Sequence, residues 1–328
     1  MMRRRTWLAL MLPATLVLAA SARAQDPVLR VGVLRPSAPP DADNDPMVSA
    51  LPRALAELGY VRGRNLVVEY RWAGGDAARL PALAQELVAA KVDVIVAVSA
   101  PAIRAARAAT STLPIVMFGN FDPIAMGFVA SLARPGGNTT GVLIAPDGTL
   151  AGKRLELLKA AVPQARRVGY LSAPFDAATR LQLQEARQAA AALDIELVDA
   201  EVRGDDYAPA FAALAARRPQ ALFVGAHTFF MRDRLQVIAL AAQHRLPAIY
   251  EWREQVVDGG LMAYSTSLYG INQRIAWYVD RLFKGTKPGD LPVERPSKFE
   301  LVINLKTAKA LDLPIPQGLL LRANEVIE

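Results

Sequence analysis

Short apolar runs recur along the chain at intervals of about 25 residues, and apolar residues with helical spacing fill the intervals between them. The clearest run, residues 92–98, is apolar at nearly every position. A strand has this composition when helices cover both of its faces, which is typical of parallel sheets. Leu80, Leu83 and Leu87 illustrate the helical spacing that precedes this run. The alternation therefore predicts repeated βα units and an α/β fold.

The runs fall into two successive sets. The first set comprises residues 28–34, 66–70, 92–98, 114–118 and 140–144, and the second comprises residues 167–171, 195–198, 221–225, 248–250 and 261–264. Each set suffices for one doubly wound parallel sheet, and a length of 328 residues also fits two domains at roughly 150 residues each. We therefore predict two α/β lobes joined by a hinge.

Interruptions of this pattern place the lobe boundaries. We assign residues 25–144 to lobe 1 and residues 145–265 to lobe 2, with a seam at the turn that follows Ile144. A helical pattern after a second interruption predicts a return segment, about residues 266–295, that rejoins lobe 1. Residues 296–328 contain few long periodic runs, and we expect them to form a C-terminal wrapping tail.

The N-terminal segment has the three parts of a secretory signal peptide. Arg3, Arg4 and Arg5 are followed by an apolar stretch at residues 7–18 and by the small-x-small triplet of residues 22–24. We predict cleavage after Ala24 and export of the mature chain. Without the four arginines of this segment the formal charge falls from +7 to +3, which removes the main argument for a nucleic-acid partner.

Composition and motifs argue against most catalytic classes. The chain has no cysteine and only two histidines, which disfavours disulfides, thiolate chemistry and multi-histidine metal centres. It also lacks a nucleophile elbow, a zinc-protease motif, a P-loop and a dinucleotide fingerprint. We expect neither a metal nor a cofactor, and we expect a protein that is not an enzyme.

Ligands of open α/β sheets bind at the carboxyl ends of the strands. In lobe 1, Ser99 and Ala100 follow the most apolar run and open a helix, where a hydroxyl and free N–H groups could receive a carboxylate. Ser99 could instead serve only as a helix cap. The next loop contains Asn120 and Asp122, and Asp122 could either cap a helix or pair with an ammonium group.

The loops of lobe 2 supply four further candidates. Phe175 could stack on a ligand or cover the edge of the core. Thr228 follows the next-but-one strand and stands beside His227, a histidine whose aromatic neighbours indicate a structural role. Glu251 lies directly after a buried strand, and Trp252 adds an aromatic wall.

Several sequence blocks resemble one family of transport proteins. Residues 58–71 read LGYVRGRNLVVEYR and residues 131–141 read SLARPGGNTTG; further matching blocks lie at residues 246–250, 259–262, 299–308 and 320–326. They resemble, in order and across almost the whole mature chain, the ABC transporter substrate-binding proteins that include tryptophan- and tyrosine-binding members.

This resemblance implies a type I periplasmic-binding-protein fold with a ligand cleft between two lobes. It also implies a small-molecule ligand that is delivered to an ABC permease and ATPase at the inner membrane. Related proteins hold amino-acid groups with Ser or Thr and backbone N–H groups of the first lobe plus an acid of the second. By position, these roles fall on Ser99, Asn120, Asp122 and Glu251.

Some alternatives remain open at this point. The ligand could be an aromatic amino acid or a different carboxylate. The absence of cysteine fits a free periplasmic protein without a lipid anchor, which we expect to be a monomer. A periplasmic sensing protein that docks on a receptor, or an enzyme on a Rossmann-like scaffold, are the alternative functions.

Overall fold

The computed structural model describes residues 27–40, 45–144, 150–173, 177–204 and 206–328. The predicted signal peptide (residues 1–24), the turn at the predicted seam (145–148) and Phe175 lie outside these residues. Within these ranges, none of the helices combines the length and the hydropathy needed to cross a bilayer.

Five parallel strands form the sheet of lobe 1, in the order β2-β1-β3-β4-β5. They are β1 (Leu29–Arg35), β2 (Leu66–Trp72), β3 (Val94–Val98), β4 (Ile115–Gly119) and β5 (Thr139–Leu143). Its helices are α1 (Pro46–Glu57), α2 (Leu80–Ala89), α3 (Ala100–Ala109) and, much later in the chain, α10 (Leu268–Phe283). As predicted, β3 is buried along its whole length.

Seven strands form the sheet of lobe 2, in the order β12-β11-β10-β9-β8-β6-β7. They are β6 (Arg167–Ser172), β7 (Glu196–Glu201), β8 (Ala221–Val224), β9 (Ala248–Tyr250), β10 (Met262–Ser265), β11 (Glu300–Asn304) and β12 (Glu325–Ile327). The helices are α4 (Leu150–Ala161), α5 (Ala177–Ala192), α6 (Ala208–Ala216), α7 (Thr228–Arg232), α8 (Arg234–Gln243), α9 (Arg253–Val257), α11 (Leu305–Ala310) and α12 (Gln317–Leu320). The ten predicted strands are therefore all present, in two doubly wound α/β lobes.

The C-terminal segment is more than the wrapping tail that we expected. It supplies β11 and β12 to the sheet of lobe 2, and β11 pairs antiparallel with β10 in an otherwise parallel sheet. The side chains of Leu301, Val302 and Ile303 are buried. A strand with so short an apolar centre carries little periodicity in the sequence, which is why the pattern did not reveal it.

The helix α10 covers one face of the lobe 1 sheet. Its residues Ile271 and Ile275 belong to the same buried cluster as Leu51 and Leu55 of α1. The chain thus leaves lobe 1 after β5 and returns to it after β10. Glu294 still contacts lobe 1, through a parallel bridge to Val142 of β5, and the chain then passes to lobe 2 before β11.

The lobes contact each other on the side of the sheets where the parallel strands end. Met231 and Trp252 of lobe 2 join the buried cluster that is centred in lobe 1. Arg234 at the start of α8 donates through Nη1 to Oδ2 of Asp45 (2.6 Å), which caps α1 in lobe 1. Both side chains of this interlobe ion pair are largely buried. The two lobes are therefore in direct contact beside the carboxyl ends of their strands.

Gly141 in β5 occupies a position that no other residue fits. Its φ angle is +148°, and it is paired with Met117 in β4. A Cβ atom on Gly141 would lie 2.6 Å from the backbone nitrogen of Met117 and nearer still to its carbonyl oxygen. The strand pair β4–β5 therefore requires glycine for its close backbone approach.

Candidate functional site

A cleft between the lobes lies at the carboxyl ends of the strands. The empty space in it, including its opening to solvent, is about 830 Å³. Much of its wall is apolar and comes from both lobes: Met47, Val98, Phe118, Ile144, Met231, Trp252 and Leu268. Its polar lining residues are Arg35, Ser99, Asn120, Thr179, His227, Thr228 and Glu251. This composition suits a ligand with an apolar body and a polar or charged end.

Most of the predicted site residues line this cleft. Ser99, Ala100 and Asn120 do so from lobe 1, and Thr228, Glu251 and Trp252 do so from lobe 2.

Asp122 is not among the lining residues. Its exposed carboxylate accepts hydrogen bonds from the backbone N–H groups of Ile124 (2.9 Å) and Ala125 (3.1 Å). It therefore fulfils the capping alternative, in which its oxygens stabilise the turn that follows β4, rather than pairing with an ammonium group in the cleft. Asn120 and Phe121 of the same loop do line the cleft.

Ser99 adopts an unusual backbone conformation between β3 and α3. Its φ and ψ angles are 74° and 158°, although it is not glycine. Its N–H donates to the carbonyl oxygen of Phe118 (2.8 Å), which fixes the loop against β4. Its hydroxyl does not cap α3, and among the described residues this buried oxygen has no hydrogen-bond partner. Backbone strain combined with an unused hydroxyl is typical of a binding position.

We expect Ser99→Ala to separate the binding role from the capping role. The ligand-free protein should keep its free energy of unfolding or gain about 1 kcal/mol, because the variant removes a buried hydroxyl that has no partner. Loss of a working cap would instead cost about 1 kcal/mol. Affinity for a carboxylate should fall roughly tenfold. Thermal unfolding and calorimetry measure the two effects, and a variant that melts lower but binds normally would contradict the assignment.

Lobe 2 presents a comparable hydroxyl to the cleft. Thr228 begins α7, and its Oγ1 is buried without a hydrogen-bond partner in the part of the chain that the structure describes. His227 precedes it and accepts a hydrogen bond from the N–H of Phe229 through Nδ1 (3.3 Å). The next loop of lobe 2 is fixed by Gln255, which accepts from the N–H of Trp252 (2.9 Å) and donates to the carbonyl of Phe230 (3.1 Å). Each lobe thus contributes a hydroxyl that a ligand can use.

Arg35 places a buried positive charge in the lining of the cleft and is not among the predicted site residues. It ends β1, is only 9% exposed, and lies with its guanidinium 5.5 Å from the ring of Trp72. It forms no ion pair or hydrogen bond with any described residue, and its Nε is buried without a partner. Burial lowers the pKa of Arg35, and nearby Tyr70 and Asp45 oppose this effect. Arginine nevertheless stays protonated in proteins, so the cleft contains a cation that has no ion-pair partner in the described part of the chain.

Glu251 forms an ion pair with a second arginine that is not among the predicted site residues. Arg154 on α4 is 1% exposed, and its Nη2 lies 3.7 Å from Oε1 of Glu251. Its Nε donates to the carbonyl of Tyr264 (3.1 Å). Burial raises the pKa of Glu251, whereas the adjacent Arg154 opposes the rise. Glu251 is therefore a buried and already compensated acid rather than a free one.

The two arginines could be found from sequence only with a different search. Arg35 stands at the carboxyl end of the first strand and is therefore a candidate by the same rule that predicts Ser99. Nothing in the sequence around Arg154 distinguishes it from the other basic residues of a helix, because its partner Glu251 is 97 residues away.

The described polar groups of the cleft are ones that can bind a solute. Among the described residues no cluster of three histidine, aspartate or glutamate side chains could hold a metal ion. A buried cation, two unused hydroxyls and an apolar wall are instead the features of a site that captures a solute.

Comparison with protein families decides the class. Residues 40–327 match the family model of the ABC transporter substrate-binding proteins. The chain belongs to this family. Its members are substrate-binding proteins rather than enzymes, and they work with a small-molecule ligand and a membrane transporter.

Individual relatives agree with the family assignment. A tyrosine-binding protein of Clostridioides difficile is 26% identical over 261 residues, which cover 80% of this chain and 75% of the relative. The structure of an ABC domain in complex with L-Trp from Streptococcus pneumoniae is 26% identical, with a TM-score of 0.78 and coverage of 92% of this chain and 100% of that one.

A conserved domain protein from Vibrio cholerae gives 27% identity and a TM-score of 0.80, with 91% of this substrate-binding protein and 99% of the other chain covered. The fold is that of type I periplasmic binding proteins.

Proposed function

We propose that this substrate-binding protein captures a small carboxylate-bearing solute for an ABC import system. The observation that carries the proposal is Arg35, a buried guanidinium in the cleft between the lobes that has no ion-pair partner among the described residues. An isolated buried charge is costly, and a carboxylate that binds to it removes that cost through short charge-assisted hydrogen bonds. Ser99 and Thr228 supply neutral donors from opposite lobes.

The remainder of the ligand is expected to be apolar. Met47 and Leu268 of lobe 1 face Met231 and Trp252 of lobe 2 across the cleft. Methionine and tryptophan side chains adapt to flat apolar groups and gain energy from contact with aromatic rings. L-Trp and tyrosine, named for two of the relatives, combine a carboxylate with such a body. An aromatic carboxylate is therefore the best-supported ligand class.

We further propose that the protein acts in the periplasm as a monomer and delivers its ligand to a membrane permease with an associated ATPase. The signal-peptide pattern of residues 1–24 supports export. Transport of this kind requires a solute receptor that changes shape when it is loaded, so that the permease recognises the loaded form.

The ion pair between Asp45 and Arg234 should stabilise the closed, loaded form, because the two residues belong to different lobes. We expect Arg234→Gln to weaken ligand affinity about tenfold, which corresponds to about 1.4 kcal/mol, since closure loses this contact. Arg253→Gln is the matched control, because Arg253 pairs with Glu325 inside lobe 2. Calorimetry gives the affinities, and small-angle scattering should show contraction on ligand binding. Equal affinities of the two variants would contradict the role of the pair in closure.

The proposed function is tested with the mature chain that begins at Gln25. Calorimetric titration should use 3-phenylpropanoate, 3-(indol-3-yl)propanoate, 3-(4-hydroxyphenyl)propanoate and 4-methylpentanoate, the corresponding L-amino acids, and the neutral amide of each acid. Saturable binding of a carboxylate, with its amide at least tenfold weaker, supports carboxylate capture. Failure of every carboxylate to bind, or equal binding of acid and amide, rejects it.

A further inference from the structure

We propose that the cleft selects a carboxylate that carries no α-ammonium group, so that the ligand is a simple apolar or aromatic carboxylic acid rather than an amino acid. This inference rests on the proposed function and specifies its ligand class. It follows from the charges that surround the cleft and from the partners that those charges already have.

An amino acid brings a second charge that the cleft must satisfy. Its ammonium group donates three hydrogen bonds and, once removed from water, needs an anionic partner or a full set of acceptors. In the described part of the lining, Glu251 is the one acidic residue. Its Oε1 lies 3.7 Å from Nη2 of Arg154, a side chain that is buried directly behind it.

The charge balance disfavours a zwitterion. With Glu251 ionised, the charges of Arg154 and Glu251 cancel, and Arg35 leaves a net charge of +1 among the described residues at the cleft. With Glu251 protonated, the net charge is +2. A monoanionic ligand brings the first state to neutrality, whereas a zwitterion changes neither total and adds a desolvated ammonium close to two arginines.

Two acids outside the lining, Asp45 and Asp233, are also engaged. Asp45 accepts from Arg234 with Oδ2 (2.6 Å) and from the backbone N–H of Met47 with Oδ1 (2.8 Å). Asp233 follows α7 and accepts from the hydroxyl of Tyr207 (2.6 Å) and from Arg232. Neither carboxylate is available for an ammonium without breaking these contacts.

The neutral polar groups of the cleft fit the same ligand. Ser99 and Thr228 each present a hydroxyl without a partner among the described residues, and a hydroxyl can donate to a carboxylate oxygen. Around Arg35 these hydroxyls form a site of donors, which matches a group that only accepts.

The test compares matched pairs that differ only in the amino group. The four pairs are 3-(indol-3-yl)propanoate and L-tryptophan, 3-phenylpropanoate and L-phenylalanine, 3-(4-hydroxyphenyl)propanoate and L-tyrosine, and 4-methylpentanoate and L-leucine. In calorimetry on the mature chain, the acid of at least one pair should have a Kd at least tenfold lower than that of its amino acid. If the amino acid of the tightest-binding pair binds as well as its acid or better, the inference is overturned while the proposed function stands. If no member of any pair binds, the proposed function itself is overturned.

A variant of Arg154 tests the cause of the preference. Arg154→Met removes the cation that compensates Glu251, so the ratio of the two Kd values should shift at least threefold toward the amino acid. Lys153→Gln is the matched control, because Lys153 lies on the same helix and is exposed. An unchanged ratio in folded Arg154→Met would overturn the argument from charge. If that variant does not fold, the ratio in the wild-type chain still decides the inference.

Discussion

Arg35→Gln should lower the affinity for a carboxylate ligand by roughly 100-fold or more. A bidentate contact between arginine and a carboxylate contains two charge-assisted hydrogen bonds of about 1.5–3 kcal/mol each, and 1.4 kcal/mol corresponds to a factor of ten in Kd. Glutamine retains a polar side chain but neither the charge nor the fork of donors. Calorimetry with the tightest-binding carboxylate of the matched pairs measures the loss.

The matched control for this variant is Arg30→Gln. Arg30 lies on the same strand, β1, but its side chain is exposed at the other end, so its loss should leave affinity unchanged. The ligand-free Arg35→Gln protein should be at least as stable as the wild type, because the replacement removes a buried charge without a partner. An affinity within threefold of the wild type would show that the carboxylate binds elsewhere.

Gly141→Ala should destabilise lobe 1 severely. The new Cβ would overlap the backbone of Met117, and the φ angle of +148° is unfavourable for alanine. Overpacking of about 1–3 kcal/mol and backbone strain of about 1–3 kcal/mol together predict a loss of about 2–6 kcal/mol. The apparent melting temperature and the yield of folded protein should both fall.

Gly137→Ala provides the control for this prediction. Gly137 lies four residues earlier, and a Cβ atom there meets nothing within 4 Å. Its replacement should leave the melting temperature close to that of the wild type. If Gly141→Ala melts like the control, the β4–β5 pair does not need the close backbone approach that the structure describes.

The architecture was predictable because central strands are buried on both faces and therefore consist of long apolar runs. The same rule fails for short elements: β11 has three buried apolar residues at its centre, and β12 spans Glu325–Ile327. It also leaves the orientation of a helix uncertain by one residue. In α8, Val237 and Ile238 are buried, whereas the apolar side chain of Leu235 is 64% exposed.

A site residue was predictable where its position after a strand determines its role. It was not predictable where the role depends on a partner that is distant in sequence. Ser99 and Trp252 line the cleft because they follow central strands, a property that the sequence pattern reveals. The state of Asp122 depends on local backbone N–H groups, and that of Glu251 depends on Arg154, which is distant in sequence. Arg35 matters because it has no ion-pair partner in the part of the chain that the structure describes, which can be recognised only in three dimensions.

The path of the chain between the lobes also affects the order in which the protein can fold. Lobe 1 lacks the cover of α10 until residue 283 exists, and the sheet of lobe 2 lacks β11 and β12 until residues 304 and 327 exist. A chain that emerges from the ribosome with its N-terminus first therefore cannot complete either lobe before almost all of it has been synthesised. Contacts so distant in sequence slow folding, because the entropy of closing long loops is lost before the contacts that stabilise them can form. The chain therefore stays incompletely folded until nearly all of its residues are available.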